Sequence, residues 1–503
     1  MKTGIGSFPR SFWVANVMEL FERGAYYGLN ALLAIYLSEK VANGGLGFTE
    51  DMVGLLQSFV YAVTYVIPIL GGALADRYGY RKMLLFAFSL LAAGYFVAGQ
   101  VNTYGIIFMS LLVMATGSGL FKPIISGTIA RTTNEKNSGF GFGVYYWMIN
   151  LGALVAPLVA GYIRDSLSWS WVFTISAIYC ALMLLPAAFL YKDPPKPESR
   201  KNLKEVLSGA LTVLSDARFM LLIFVYSCFW ILYFQNFGSV LWYLRDFIDP
   251  APITRFFARM GMNYTLRPEH VTVVNAGTIV LLQIFVNLIV KNIKPLPTMV
   301  AGILIGSAGF FVLALSQHAW IFILGIAVFS IGEMTCHPKY YSYIGIVAPQ
   351  EKKATYMGYA FLYGVIGSLV GSNVGGEMYR AILSPIKEKA LEAGLLPLEM
   401  AGAHSTLRNF WLVFAALGIV TTLGLVVYNK LFGEDNVSTR ARARRVMFFI
   451  YGLLTVLSVV MIFFVNSTKG NVPPKTWIQS TIMVLIGIGG LYTLLKHQNE
   501  TNI

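Results

Sequence analysis

In the stretch MELFERGAYYGLN, Glu19, Glu22 and Arg23 are spaced i, i+3 and i+4, and Tyr26, Tyr27 and Asn30 continue the same stripe. A helix would set these groups on one face. Apolar residues extend on both sides of them, so they are not side chains snorkelling at a helix end. A charged side chain at the centre of a bilayer costs roughly 2.5–3.5 kcal/mol on insertion scales. The stripe must therefore face a polar cavity or partner charges. Burial favours a protonated carboxyl group, and a nearby cation favours an ionised one. Two carboxylates beside a guanidinium can thus exchange ion pairing for proton binding. Lys122, Asn150, Asn275 and Glu333 stand in other apolar runs, and His337 follows Glu333 by one turn.

The elements that must position these groups read as membrane-spanning helices. The chain has 503 residues, of which 56% are hydrophobic and 12% charged. A soluble domain carries about 25% charged residues, so most of this surface faces something other than water. About 20 apolar residues span a bilayer core, and backbone groups within lipid are satisfied inside a helix. Hydropathy predicts spans over 11–38, 50–75, 83–100, 104–129, 138–162 and 169–191. A second set covers 219–243, 271–290, 297–316, 320–347, 355–380 and 406–429, and two more lie at 446–465 and 476–495. The expected organisation is a six-helix bundle over 1–191, a cytoplasmic linker with an amphipathic helix over 192–218, a second bundle over 219–430, and two appended helices over 431–503. Such a six-plus-six arrangement belongs to carriers built from repeated halves.

Charge sets the expected sidedness. Alternate loops carry Arg77, Arg81 and Lys82; Arg131 and Lys136; Lys192 to Lys204; Lys291 and Lys294; Lys352 and Lys353; and Arg440 to Arg445. The positive-inside rule then puts both termini in the cytoplasm. The 244–270 loop is an exception, with Arg255, Arg259 and Arg267 on the outer side. Met1–Arg10 lacks the apolar core of a cleavable signal peptide, so the first apolar segment is expected to remain. The formal net charge of +14 is distributed as topology requires, and no nucleic-acid partner is expected. Cys180, Cys228 and Cys336 lie singly in apolar runs and read as small packing residues.

Several motifs carry a resemblance. GGALADRYGYRK, after the second span, resembles the signature between helices two and three of the major facilitator superfamily. Gly72 and Gly79 would permit close packing there, and Asp76 would pair with an arginine or a helix N-terminus. The first-span pattern E-x-x-E-R-x-x-Y-Y-G resembles that of the proton-coupled oligopeptide transporters (POT/PTR). GSGLFKPIIS in span four, VYYWMINLGALVAP in span five and IGEMTCHP in span ten resemble further signatures of that family, in the same order. The resemblance covers the twelve core spans and implies an all-α major facilitator fold and proton-coupled import of di- and tripeptides by alternating access; the two spans appended at the C-terminus, which make fourteen in all, depart from many bacterial relatives, which insert two extra helices between the halves. It implies that Glu333 meets the peptide amino end and that Lys122 and Arg23 meet the carboxylate, with Glu19, Glu22, Arg23 and Lys122 coupling the proton. Compact loops without a large external domain suggest a bacterial inner membrane.

The residue types fit such a cargo. A zwitterionic peptide needs an anion, a cation and amide partners, which Glu333, Lys122 with Arg23, and Asn150 with Asn275 can supply. Tyr26, Tyr27, Tyr65 and Trp230 would make walls tolerant of many side chains. Some positions depart from the family pattern. Phe234 stands where an acidic residue is usual, Asn30 replaces a second arginine of many bacterial relatives, Ala360 replaces a tryptophan, and His337 precedes Pro338. His337 is a candidate proton carrier, since imidazole titrates near neutrality, or else a hydrogen-bonded structural group. Phe234 leaves room for a same-fold carrier of another small solute. No G-x-S-x-G, H-E-x-x-H or paired histidines occur, so neither enzyme chemistry, a cofactor nor a metal is expected.

Overall fold

The computed structural model describes residues 8–133, 137–193, 209, 213–349, 353–469 and 474–501. Helices account for the architecture, and an isolated bridge joins Asp249 to His318. The first half contains α1 (Arg10–Ser38), α2 (Glu50–Tyr78), α3 (Tyr80–Gln100), α4 (Tyr104–Thr132), α5 (Ser138–Ser166) and α6 (Trp169–Leu182). The second contains α7 (Ala217–Phe234), α8 (Ser239–Phe247), α9 (Ala251–Arg259), α10 (His270–Val290), α11 (Pro295–Leu315) and α12 (Ala319–Val347). It continues with α13 (Lys353–Tyr359), α14 (Leu362–Met378), α15 (Ser384–Glu392) and α16 (Ala403–Phe432). Then come α17 (Val437–Lys469) and α18 (Pro474–Thr501).

Among the described residues, thirteen segments are long and apolar enough to cross a bilayer. The remaining expected span is α1, whose 29 residues reach about 44 Å at 1.5 Å each but whose charges lower its hydropathy. The chain is thus an integral membrane protein of the expected class: two six-span bundles with an added pair. The amphipathic helix expected in the linker lies outside the described residues. The 244–270 connection, expected as a loop, contains the nine-residue helix α9.

Within the first half α1 packs on α5 and α6, α2 on α4, and α3 on α4 and α6. In the second, α12 packs on α10 and α11, α16 on α11, and α14 on α7. The added α17 lies against α7 and pairs with α18. At its start, Arg440 forks onto Asp435 at 2.7 and 2.8 Å. These bonds hold the Asp435 carboxyl below its usual titration range.

The seventh span is broken at Gln235–Phe237, where a 3₁₀ turn separates α7 from α8. Backbone groups freed within a membrane need new partners, and nearby amides provide them. Gln57 donates to the Phe237 carbonyl at 2.8 Å, and the Gln235 side chain donates to the Ile231 carbonyl at 2.8 Å and across to the Gly371 carbonyl of α14 at 2.9 Å.

The halves close on each other at the end where Ser38, Glu50 and Arg245 lie. Gly54 of α2 meets Gly376 of α14. A Cβ at Gly54 would stand 2.4 Å from the Ser372 carbonyl, and one at Gly376 would stand 2.4 Å from the Glu50 carbonyl. Trp242 donates its indole N–H to the Ala34 carbonyl at 3.1 Å. Arg164 of α5 grips Glu269 with two bonds of 2.8 and 3.0 Å. Arg245 bonds Ser38 at 2.9 Å and lies 3.7 Å from Glu50.

Candidate functional site

The polar stripe of α1 turns towards α4. Arg23 donates from Nε to Glu22 Oε2 at 2.5 Å and from Nη2 to Glu22 Oε1 at 2.7 Å. Ser118 of α4 donates to Glu22 Oε1 at 2.7 Å and accepts from Arg23 Nη2 at 3.2 Å. Glu19 Oε1 lies 3.6 Å from Arg23 Nε, while its buried Oε2 has no hydrogen-bond partner among the described residues. Glu19, Glu22 and Arg23 are all buried, so their pairing is what makes burial tolerable.

Lys122 lies one turn beyond Ser118 on α4. Its ammonium stands 5.2 Å from the Tyr65 ring centre and 5.9 Å from that of Tyr26. Among the described residues no carboxylate lies within ion-pairing distance of it. Arg23 in turn lies over Tyr26 at 4.8 Å and Tyr27 at 5.9 Å. Two carboxylates and two cations give this wall no net charge when all are ionised.

The opposite wall comes from α7, α10, α12 and α14. Asn275 of α10 donates to Glu333 Oε2 at 3.0 Å and to Ser330 at 2.8 Å. No cation pairs with Glu333 among the described residues. Trp230 sits against Tyr233 at 4.3 Å, Tyr363 at 4.5 Å and Tyr65 at 6.2 Å, centre to centre. Phe234 stacks on Tyr61 at 5.2 Å and meets Tyr65 edge-on at 6.2 Å. The position noted as an acidic residue in relatives is therefore closed into an aromatic wall.

The two walls meet at Tyr65, which stands beside Lys122, Trp230 and Tyr363, while Tyr26 and Tyr27 lie against Arg23 and Asn275 holds Glu333. Arg23 is engaged by Glu22, so the cation left open is Lys122. Asn150 donates to the Tyr146 carbonyl of its own helix at 2.8 Å, and the buried Asn30 Nδ2 has no hydrogen-bond partner among the described residues. His337 Nδ1 lies 3.0 Å from the Tyr226 hydroxyl, with its ring 5.1 Å from Trp230 and 5.2 Å from Tyr341. Ser118, Tyr233, Tyr341 and Tyr363 join the site without having been singled out from sequence. Ser118 had a readable signal, since it precedes Lys122 by four residues on one helix. In the loop signature, Asp76 pairs with Arg131 at 2.7 Å, and Gly79 adopts φ +95°, a region most residues avoid.

Comparison with known proteins gives this geometry a setting. The family model described as Major Facilitator Superfamily matches residues 16–372. The chain is 23% identical over 450 residues to a protein of Yersinia enterocolitica named Peptide transporter YePEPT, covering 72% of this chain and 86% of that one. It is 29% identical over 227 residues to Dipeptide and tripeptide permease A of Escherichia coli, covering 42% of this chain and 44% of the permease. A Bacillus subtilis protein, Uncharacterized transporter YclF, is 29% identical over 210 residues, covering 40% of this chain and 43% of that one. Among solved structures, a POT family transporter in complex with 5-aminolevulinic acid superposes with a TM-score of 0.69 at 20% identity, covering 85% of this chain and 99% of that one. A peptide transporter POT in complex with sulfate gives 0.67 at 19% identity, covering 85% and 96%. Its family match and its two-bundle fold agree: the chain belongs to the Major Facilitator Superfamily and is similar to that superfamily's peptide transporters.

Proposed function

We propose that this protein is a proton-coupled symporter of the oligopeptide-transporter type, importing di- and tripeptides by alternating access. The observation that carries this reading is a pair of unlike charges on opposite halves, Lys122 and Glu333, neither of which has an ionic partner among the described residues. A zwitterion with separated ends satisfies both at once. Its carboxylate goes to Lys122 and its ammonium to Glu333, with Asn275 keeping the carboxylate of Glu333 oriented. The ring faces of Tyr26, Tyr27, Tyr65 and Trp230 accept side chains through shape and apolar area, which suits a cargo of varied sequence.

Coupling runs through the α1 stripe. Glu22 holds Arg23 in a two-bond fork. A proton arriving on Glu22 removes the charge that holds the guanidinium, and Arg23 then becomes free to support the substrate carboxylate beside Lys122. Glu19, whose second oxygen lacks a partner, is the neighbouring relay position. Contacts such as Arg164–Glu269 and Gly54–Gly376 close the end carrying the 39–49 and 244–270 connections. In this reading that end is outside, both termini are cytoplasmic, and the cavity opens inward. The names of the relatives, with the Yersinia and Escherichia proteins called a peptide transporter and a permease, support a bacterial inner membrane. The linker 192–218 joins the halves, and 431–503 forms the added pair.

The test is uptake of labelled dialanine into proteoliposomes with and without an inward proton gradient. Accumulation should collapse with a protonophore and fail in Glu333→Gln. A folded protein that binds and moves no dialanine would overturn the peptide reading and turn attention to other small zwitterions.

A further inference from the structure

Arg255 and Arg259 break the charge pattern that otherwise orders the loops, and no function assigned above uses them. They lie on α9, which follows the end of α8 and packs against the start of α12. Ile253 is buried against the protein, and Phe257, one turn on, meets Tyr264 at 4.6 Å between ring centres. That face fixes the helix. Phe256 and Met260, also one turn apart, are 46% and 59% exposed. Arg255 and Arg259 form a second exposed stripe beside them, with no ion pair among the described residues.

The apolar stripe does not end on α9. Phe256 meets Trp320, in the first turn of α12, edge-on at 5.2 Å. Trp320 is 38% exposed, and Leu324, one turn further along α12, is 49% exposed. Leu324, Trp320, Phe256 and Met260 therefore make one continuous apolar strip running from a membrane-spanning helix onto α9. Tryptophan favours the boundary between acyl chains and headgroups. A short helix at that level, with bulky apolar groups beside arginines, suits the plane of a phospholipid surface.

We propose that α9 is an interfacial anchor. Phe256 and Met260 enter the acyl boundary of the leaflet on which 244–270 emerges, and Arg255 and Arg259 bind its phosphates. The cations that contradict a simple charge rule are then lipid ligands, and α9 ties the start of α12, which bears Glu333, to the membrane surface. The proposal requires only that the chain spans a bilayer and does not depend on the identity of the cargo.

The experiment is depth measurement in proteoliposomes of the full chain. Met260→Cys is labelled with an environment-sensitive fluorophore, with the unsubstituted chain giving the background from its own cysteines. Thr265→Cys, on an exposed loop residue, is the solvent reference. Emission at 260 should be blue-shifted, quenched more by nitroxide lipid labelled near the headgroup than deep in the acyl chain, and shielded from aqueous iodide. Residue 265 should behave in the opposite way. Changing the vesicles from pure phosphatidylcholine to a mixture with phosphatidylglycerol should strengthen lipid quenching at 260, and Arg255→Glu with Arg259→Glu should abolish that gain. Each arginine near an anionic surface is expected to contribute about five-fold in attachment. Iodide quenching equal at 260 and 265 would overturn the anchor, as would docking of α9 seen only on adding another protein. Lipid quenching that ignores both phosphatidylglycerol and charge reversal would overturn the phosphate contacts.

Discussion

On the α1–α4 wall, Glu22 takes two hydrogen bonds from Arg23 and one from Ser118. On the α10–α12 side, Glu333 takes one, from the uncharged amide of Asn275. A proton reaching Glu22 must rearrange a network whose members sit on two helices. A proton or ammonium reaching Glu333 changes one local contact in a wall otherwise made of rings. Charge-rich, mutually satisfied groups suit energy coupling, and a lone carboxylate among aromatics suits recognition. On the proposed reading, the two halves of the fold divide coupling and recognition between them.

Substitutions on the two sides should separate accordingly. The largest effect is expected from Glu22→Gln. Uphill accumulation driven by a proton gradient should be lost while exchange of labelled for unlabelled peptide persists. Undiminished uphill uptake would remove Glu22 from the coupling path. Next come Lys122→Ala and Glu333→Gln, each lowering dialanine affinity by about 10- to 100-fold, the value of a hydrogen bond to a charged group. Chemically blocked ligands sharpen this pair. Affinity for amidated dialanine should be indifferent to Lys122→Ala, and affinity for acetylated dialanine indifferent to Glu333→Gln; a crossed pattern would reverse the assigned ends. Ser118→Ala should be milder, lowering the maximal proton-driven rate about five-fold with little change in KM, because Arg23 still holds Glu22.

The smallest effect belongs to a group outside both walls. The Arg440 fork lowers the titration of Asp435, so the stability it gives is present above the unfolded carboxylate range near about 3.9 and fades as pH falls below it. Asp435→Asn should lower the melting temperature slightly at neutral pH, and the two proteins should converge in acid. A large shift at neutral pH would mean that the α17–α18 pair is more than a peripheral addition.

How much of this was readable in the chain follows from the price of polarity in lipid. Glu19, Glu22, Arg23, Lys122 and Glu333 stand out because ionisable groups at that depth are rare and expensive, and their positions led directly to both walls. Tyr233, Tyr341 and Tyr363 did not stand out, since an aromatic ring in an apolar run has the same appearance whether it lines a cavity or fills a core. The interruption at Gln235–Phe237 was hidden in a run that reads as one span, because its support comes from Gln57, 180 positions away from Phe237. The closure by Arg164 and Glu269 was hidden for the same reason, with 105 positions between them. Spans and their isolated charges are local properties, whereas pairing across the halves belongs to the assembled fold.

At Gly54 and Gly376 the two backbones touch with no side chain between them, and that contact has a consequence for leakage. A closure made only of Arg245 and its carboxylates would admit water, and a file of water conducts protons whether or not cargo is present. Backbone laid on backbone leaves no room for such a file. If the chain is the symporter proposed above, it can then stand closed against a large electrochemical gradient without short-circuiting it, and the current it draws is restricted to turnovers that deliver a load.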